Sequence, residues 1–187
     1  MVVSDLEYIT TFLGKDFSPL APDVNQIELE DIAHALSLTC RANGHFVRFF
    51  SVAQHCINCA NEAKARGLSA RIQLACLLHD ASEAYISDIT RPVKEALPEY
   101  RTIEENLQGI IYNKYLIRPL SDHERSEVKQ IDDDMLLCEF DALMEKKVFD
   151  QKPVICSSPS FECADHLASK NTFLRLAYNL MRDRKVS

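Results

Sequence analysis

Residues 69–88, SARIQLACLLHDASEAYISD, carry an apolar face that runs straight into polar groups. Ile72, Leu74, Ala75, Leu77 and Leu78 recur at helical spacing behind Ser69, a residue type whose side-chain oxygen caps helix starts. The spacing predicts a core helix, yet His79, Asp80 and Glu83 follow at once. A carboxylate taken out of water is costly unless it is paired, hydrogen-bonded or bound to metal. Side chains three and four apart on a helix are neighbours, so His79, Asp80 and Glu83 crowd one helix end. Adjacent residues diverge by about 100° on a regular helix. His79 and Asp80 therefore reach one ion only if it sits near that end or the helix distorts. Their partners must come from elsewhere in the chain.

Upstream, Ser51-Val-Ala-Gln54 has the form of a capping box, in which serine and glutamine side chains satisfy reciprocal backbone donors. It predicts a helix to Arg66, stopped by Gly67. That helix carries His55 among Val52, Ala53, Cys56 and Ile57, where an imidazole either bonds to backbone or ligates a metal. An earlier helix is predicted over 28–42 from Leu29, Ile32, Ala33, Leu36 and Cys40, ended by Asn43-Gly44. Residues 1–27, broken by Gly14, Pro19 and Pro22, read as loops with a small hairpin. Downstream, Pro92 and Pro98 each suit the first turn of a helix, the second reaching Tyr115. Ser121-Asp-His-Glu124 is another capping box and opens a long helix to near Lys147. The loop QKPVICSSPS then leads to a last helix over 161–182. Nothing alternates with a period of two for long, so the fold class is all-α, a single bundle of six or seven helices around one core.

The bulk properties agree. A chain of 187 residues, 47% hydrophobic and with only 4 Gly, suits one domain with a substantial core and no linker. No apolar run reaches the roughly 18 residues of a membrane span, and MVVSDLEYIT lacks the form of a secretory leader. No membrane association and a cytoplasmic location are therefore expected. The 7 cysteines are an odd, scattered set, which reads as free thiols in a reducing compartment. A net charge of −7 argues against a stable nucleic-acid partner. Between Ile32 and Asn61, however, there is no Asp or Glu, while His34, Arg41, His45, Arg48 and His55 all fall there. Two readings stand side by side: a local field suited to a small anion, or a buried helix where charge of either sign is rare.

The long helix carries Asp132, Asp133 and Asp134. Against the apolar stripe Val128, Ile131, Met135, Ala142 and Leu143, the helical angle puts Asp132 inside the stripe and the other two beside or behind it. His55, His79, Asp80 and inward Asp132 then form an H…HD…D set drawn from three helices. Mixed imidazole and carboxylate donors suit a divalent transition ion, Mn, Co, Fe or Zn rather than Mg.

The set His55, His79-Asp80 and Asp132 resembles the HD-domain metal-dependent phosphohydrolases. The stretches DIAHALS, CRANGHF, FSVAQH and LLHDASEAYISDITRPVK are similar to bacterial HD-domain 5′-deoxynucleotidases and their YfdR-like relatives, a likeness running from Ile27 to Met144. The resemblance implies an all-helical HD fold, one divalent ion held by His55, His79, Asp80 and Asp132, and hydrolysis of nucleoside 5′-monophosphates. It further implies Glu83 and Asp80 as catalytic residues, Arg41 as the phosphate-binding arginine, Asp88 as the contact to the sugar hydroxyl, and a homodimer. A carboxyl such as Glu83 near a metal-bound phosphate can deliver a proton to the leaving group or orient the attacking water. His45 and Lys94 are weaker candidates for the phosphate pocket. Those enzymes place a Trp beside the arginine, and this chain has none.

Cys56-Ile-Asn-Cys59 lies inside a predicted helix with no second pair and no βαβ context, which speaks against a redox or zinc-knuckle role. Two other functions stay open at this point: an HD-type pyrophosphate or phosphodiester hydrolase, and a non-catalytic metal- or nucleotide-binding module.

Overall fold

The computed structural model describes residues 7–183. It is mostly helical, with one small sheet. A hairpin pairs β1 (Ile9–Thr10) with β2 (Asp16–Phe17) in antiparallel register. The part of the hairpin expectation that falls on residues 1–6 lies outside the described residues. Among the described residues eight α-helices follow: α1 Leu29–Leu38, α2 Val52–Ala65, α3 Ala70–Leu77, α4 Glu83–Ile86, α5 Arg91–Glu95, α6 Pro98–Leu116, α7 Asp122–Leu143 and α8 His166–Asp183. Two of the eight, α4 and α5, are about one turn long, and they flank the polar end of α3.

The caps form as their residue types dictate. Ser51 with Gln54 and Ser121 with Glu124 close complete capping boxes, and Ser69 Oγ accepts from Ile72 N. Pro92 and Pro98 both sit at helix starts, where a missing N–H is no loss. The main core joins Ile32 and Leu36 of α1, Ala53 and Cys56 of α2, Leu74, Leu77 and Leu78, Leu107 and Ile111 of α6, Ile131 and Met135 of α7, and Phe173 and Ala177 of α8. A smaller cluster gathers Phe46, Phe50 and Leu143 beside it.

The first helix ends at Leu38 rather than 42. Thr39, Cys40 and Arg41 leave the helix to pair with the chain at the start of α2: Arg41 N bonds Phe50 O at 2.9 Å and Val52 N bonds Thr39 O at 3.0 Å. Ala42, Asn43 and Gly44 then turn with φ of 53°, 50° and 77°. Left-handed backbone is strained for a residue with a Cβ, which is why glycine at position 44 fits the turn. The neck of this loop sets Arg41 against the start of α2. The last helix begins at His166, later than residue 161, because the segment before it runs along α2 instead.

Among the described residues, no helix is long and apolar enough to cross a membrane.

Candidate metal centre

The α3 helix stops at Leu77, and the chain passes His79 and Asp80 in a tight turn before α4. Leu78 N is shared between Leu74 O and Ala75 O, Ala81 N bonds Leu78 O, and Glu83 N bonds Asp80 O. Backbone groups released by such a break need new partners. Gln108 of α6 supplies them: its Nε2 donates to Leu78 O at 2.7 Å and its Oε1 accepts from Ser82 N at 3.1 Å. The distortion required for adjacent residues to face one point is thus built in, and His79 and Asp80 both turn toward α2 and α7.

His55 enters from α2 and Asp132 from α7. His55 Nε2 lies 3.1 Å from His79 Nε2, 3.2 Å from Asp132 Oδ1 and 3.7 Å from Asp80 Oδ2. His79 Nε2 lies 3.2 Å from Asp80 Oδ2 and 3.6 Å from Asp132 Oδ1. Donors bound at about 2.0–2.2 Å to one ion stand roughly 3–3.6 Å apart in octahedral or tetrahedral arrangement. The observed separations match that spacing closely.

The ring nitrogens facing away are tied down. His79 Nδ1 lies 2.7 Å from Cys76 O, and His55 Nδ1 lies 2.6 Å from Glu139 Oε1. A carbonyl can only accept, so Nδ1 of His79 carries a proton, and Nε2 is the atom turned to the cluster. Orientation of ligand imidazoles by a carbonyl or carboxylate is the usual companion of metal binding.

Arg41 completes the cluster. Its Nε lies 3.2 Å from Glu139 Oε2, Nη1 3.2 Å from Asp80 Oδ2 and Nη2 3.6 Å from Asp132 Oδ1. Asp80, Asp132 and Glu139 together outnumber this one guanidinium, and against burial the surroundings raise both His55 and His79 well above the usual imidazole range; a divalent cation would take the place of those protons. Burial works to raise both aspartates, yet the facing imidazoles of His55 and His79 hold Asp132 well below the usual carboxylate range, and His79 with Arg41 does the same to Asp80.

Glu83 opens α4. Its side chain is 4% exposed and Oε2 has no hydrogen-bond partner, while Oε1 is 3.9 Å from Lys94 Nζ. Burial, then the charges of Asp80 and Asp88, push its carboxyl well above the usual range. Lys94, a weaker candidate for the phosphate pocket, is itself bonded to Glu104 at 2.6 Å. Asp88 is half-buried just past Ser87, which has φ 74°; burial raises its carboxyl while Arg41 opposes the rise. His45 is not drawn in: its side chain is exposed, and its backbone N–H bonds Ala42 O.

Several participants escape a reading by motif. Glu139 braces both Arg41 and His55, and its seven-residue spacing from Asp132, nearly two full turns, was the available signal. Cys59 Sγ sits 3.6 Å from His55 Nε2, and the donor atoms of Cys56, His79 and Asp80 lie close enough together to hold an ion, so the CxxC borders the centre. Buried His, Cys and Asp groups able to bind a metal ion are therefore present. Asp134, read as lying off the core face, is 4% exposed: Arg66 Nη2 bonds it at 2.9 Å and Val154 N at 3.3 Å. The segment around Val154 covers a second flank of α7, which periodicity alone does not reveal.

The chain is 37% identical over 115 residues to the uncharacterized protein YfdR of Escherichia coli K12, a match covering 62% of each chain. An uncharacterized protein of Rhodobacter capsulatus is 35% identical over 108 residues, covering 54% of this chain and 55% of that one. The chain thus spans under two thirds of the length of either relative. It matches no protein-family profile.

Proposed function

We propose that the protein is an HD-type, metal-dependent phosphohydrolase that removes phosphate from nucleoside 5′-monophosphates, deoxynucleotides above all. The convergence of His55, His79, Asp80 and Asp132, with a buried and unpartnered Glu83 oxygen beside them, carries this reading. The likeness of HDASE, Asp88 and Pro92-Val-Lys94 to the 5′-deoxynucleotidases supports the substrate class.

The four residues would hold one divalent ion, with Mn, Co, Fe or Zn favoured by the mixed nitrogen and oxygen donors. When bound, such an ion supplies Lewis-acid polarisation of a phosphoryl oxygen and lowers the pKa of a coordinated water.

The chain's own residues do the rest. His55 and His79 are held in orientation by Glu139 and Cys76 O, so they need little rearrangement to act as ligands. Arg41, fixed on Glu139, places positive charge where a phosphate next to Asp80 would rest. Glu83 holds a proton at Oε2 for the leaving alkoxide, or accepts one from the attacking water. Asp88, across from Arg41, selects the sugar through its hydroxyl.

The test is phosphate release from a panel of ribo- and deoxynucleoside 5′-monophosphates, using metal-stripped protein reloaded with Mn²⁺, Co²⁺, Zn²⁺ or Mg²⁺. Release that requires the ion and disappears in Asp80→Ala supports the reading. Silence with every ion overturns the monoesterase.

A further inference from the structure

The proposed ion site draws its donors from His55, His79, Asp80 and Asp132, yet the fold brings thiols to the same point. Cys56 and Cys59 of α2 are both buried and free. As sequence, their CxxC lies inside a helix and has no second pair. The fold supplies a partner from outside that helix. Cys59 Sγ, a ring nitrogen of His55 and a ring nitrogen of His79 all lie within 4.8 Å of one another.

Cys59 is one turn beyond His55, and residues four apart share a helix face. Two ligands at that spacing on one helix are a recurrent way to hold zinc. Cys59 Sγ lies 3.6 Å from His55 Nε2. A thiolate and an imidazole on one tetrahedral ion, about 2.3 and 2.0–2.1 Å from it, stand roughly 3.5 Å apart. That same Nε2 is the atom 3.1 Å from His79 Nε2 and 3.2 Å from Asp132 Oδ1. One ion in front of it therefore serves the thiol and the other donors together. Among the described residues, the hydrogen-bonding contacts of Cys59 Sγ are to the His55 ring alone. Cys56 shares a comparable group with His79 and Asp80, but its direction from the helix differs from that of His55 by about 100°. The side chains of Asp80 and Asp132 are 18% and 24% exposed, and that of His55 is 0% exposed. The centre is thus open at its carboxylate end, where an ion enters, and closed at its thiol end.

We propose that Cys59 is a further ligand of the ion, bound as the thiolate, and that it makes the centre selective for Zn²⁺ over Mn²⁺ and Mg²⁺. Thiolate is a soft donor that suits zinc, whereas carboxylate, carbonyl and water suit manganese and magnesium. The thiol proton leaves to solvent as the ion binds, as for any thiolate ligand. This inference rests on the metal-binding part of the function proposed above and is independent of the reaction.

The experiment loads the metal-stripped full chain with an equimolar amount of Co²⁺, a spectroscopic substitute for zinc, and records the absorption spectrum and the metal retained. A thiolate-to-cobalt charge-transfer band in the near ultraviolet is expected in the wild type and in Cys56→Ser. Cys59→Ser should lose the band while retaining Co²⁺. It should weaken Zn²⁺ by roughly tenfold or more and Mn²⁺ by less than about threefold. Asp80→Ala should lose band and ion together. X-ray absorption of the wild-type zinc form, which needs no substitution, should show sulfur at about 2.3 Å from the ion. Co²⁺ retained without the band, a band that survives Cys59→Ser, or zinc with only nitrogen and oxygen neighbours would overturn the thiolate ligand and leave the four-donor centre standing. A band that survives Asp80→Ala, or a wild type that retains no Co²⁺, would overturn both.

Discussion

Two glutamates are both buried in this molecule and are treated in opposite ways. Glu62 on α2 is 0% exposed and Glu83 on α4 is 4% exposed. Around Glu62 every need is met: Arg66 Nε donates at 2.8 Å, Cys156 N at 2.9 Å, Ser157 N at 2.8 Å and Ser157 Oγ at 2.6 Å. Around Glu83 one oxygen has no partner and the other only a lysine at 3.9 Å, itself bonded elsewhere. Burial raises both carboxyls, but the hydrogen bonds to Glu62 outweigh it and bring that group below its ordinary value, whereas Glu83 is driven up. A saturated carboxylate holds structure. An unsaturated one is available to a ligand or a proton.

The saturated region is a strap. Gln54, Asn58, Glu62 and Arg66 stand four residues apart on one face of α2. They bond, in order, Glu162 O, Ser160 O, Cys156 N and Val154 O of the segment before α8. The adjoining face of the same helix offers His55, Cys56 and Cys59 to the candidate metal centre. One helix thus separates a region of satisfied polar groups from the candidate site.

The strongest way to break this contrast is to remove a ligand. Asp80→Ala should abolish phosphate release and cut bound metal at least tenfold, measured by elemental analysis of purified protein. Retained metal at full stoichiometry would contradict the ligand set.

Glu83→Gln should slow turnover by about 10²- to 10⁴-fold, the range for loss of a general acid or base. Metal content should be unchanged and Tm should not fall, because the amide keeps the size of the side chain and Oε2 had no hydrogen-bond partner to lose. A lower Tm with activity intact would make Glu83 a structural residue.

Glu62→Ala should show the reverse pattern: roughly 3–5 kcal/mol of stability lost by denaturant unfolding, as when one partner of a buried pair is removed, with kcat retained in the folded fraction. If both glutamates lose activity and stability alike, the distinction fails.

The two should also separate with acid. The lowered value of Glu62 means that its stabilisation is complete above its unfolded pKa, near 4.5, and is lost as pH falls through the folded value. The Tm gap between wild type and Glu62→Gln should therefore narrow below about pH 4.5, read by thermal scans from pH 7 to 3.

The smallest effect belongs to the helix start beside His55. Ser51→Ala should cost about 1 kcal/mol, a typical N-cap value, and leave metal affinity within a few-fold.

Much of the fold was legible because its signals are local. Ser51, Ser69 and Ser121 act over three residues, and both prolines act through their own φ. The inward turn of Asp132 followed from its angle to Ile131 and Met135. The end of α1 was misjudged by four residues because a pairing with Phe50 and Val52 overrides the helical spacing at Cys40. Asp134 was misjudged because a strap from 20 residues away buries it.

By itself, then, the sequence determined an all-helical chain and where most of its helices start, since each start depends on neighbours within a turn or two. Only tertiary structure decided that α3 breaks after Leu77 with Gln108 bridging the gap, that Glu139 braces Arg41 and His55 across 98 and 84 residues, and that Glu62 is satisfied while Glu83 is not. Those outcomes turn on backbone and side-chain groups that are distant in the chain.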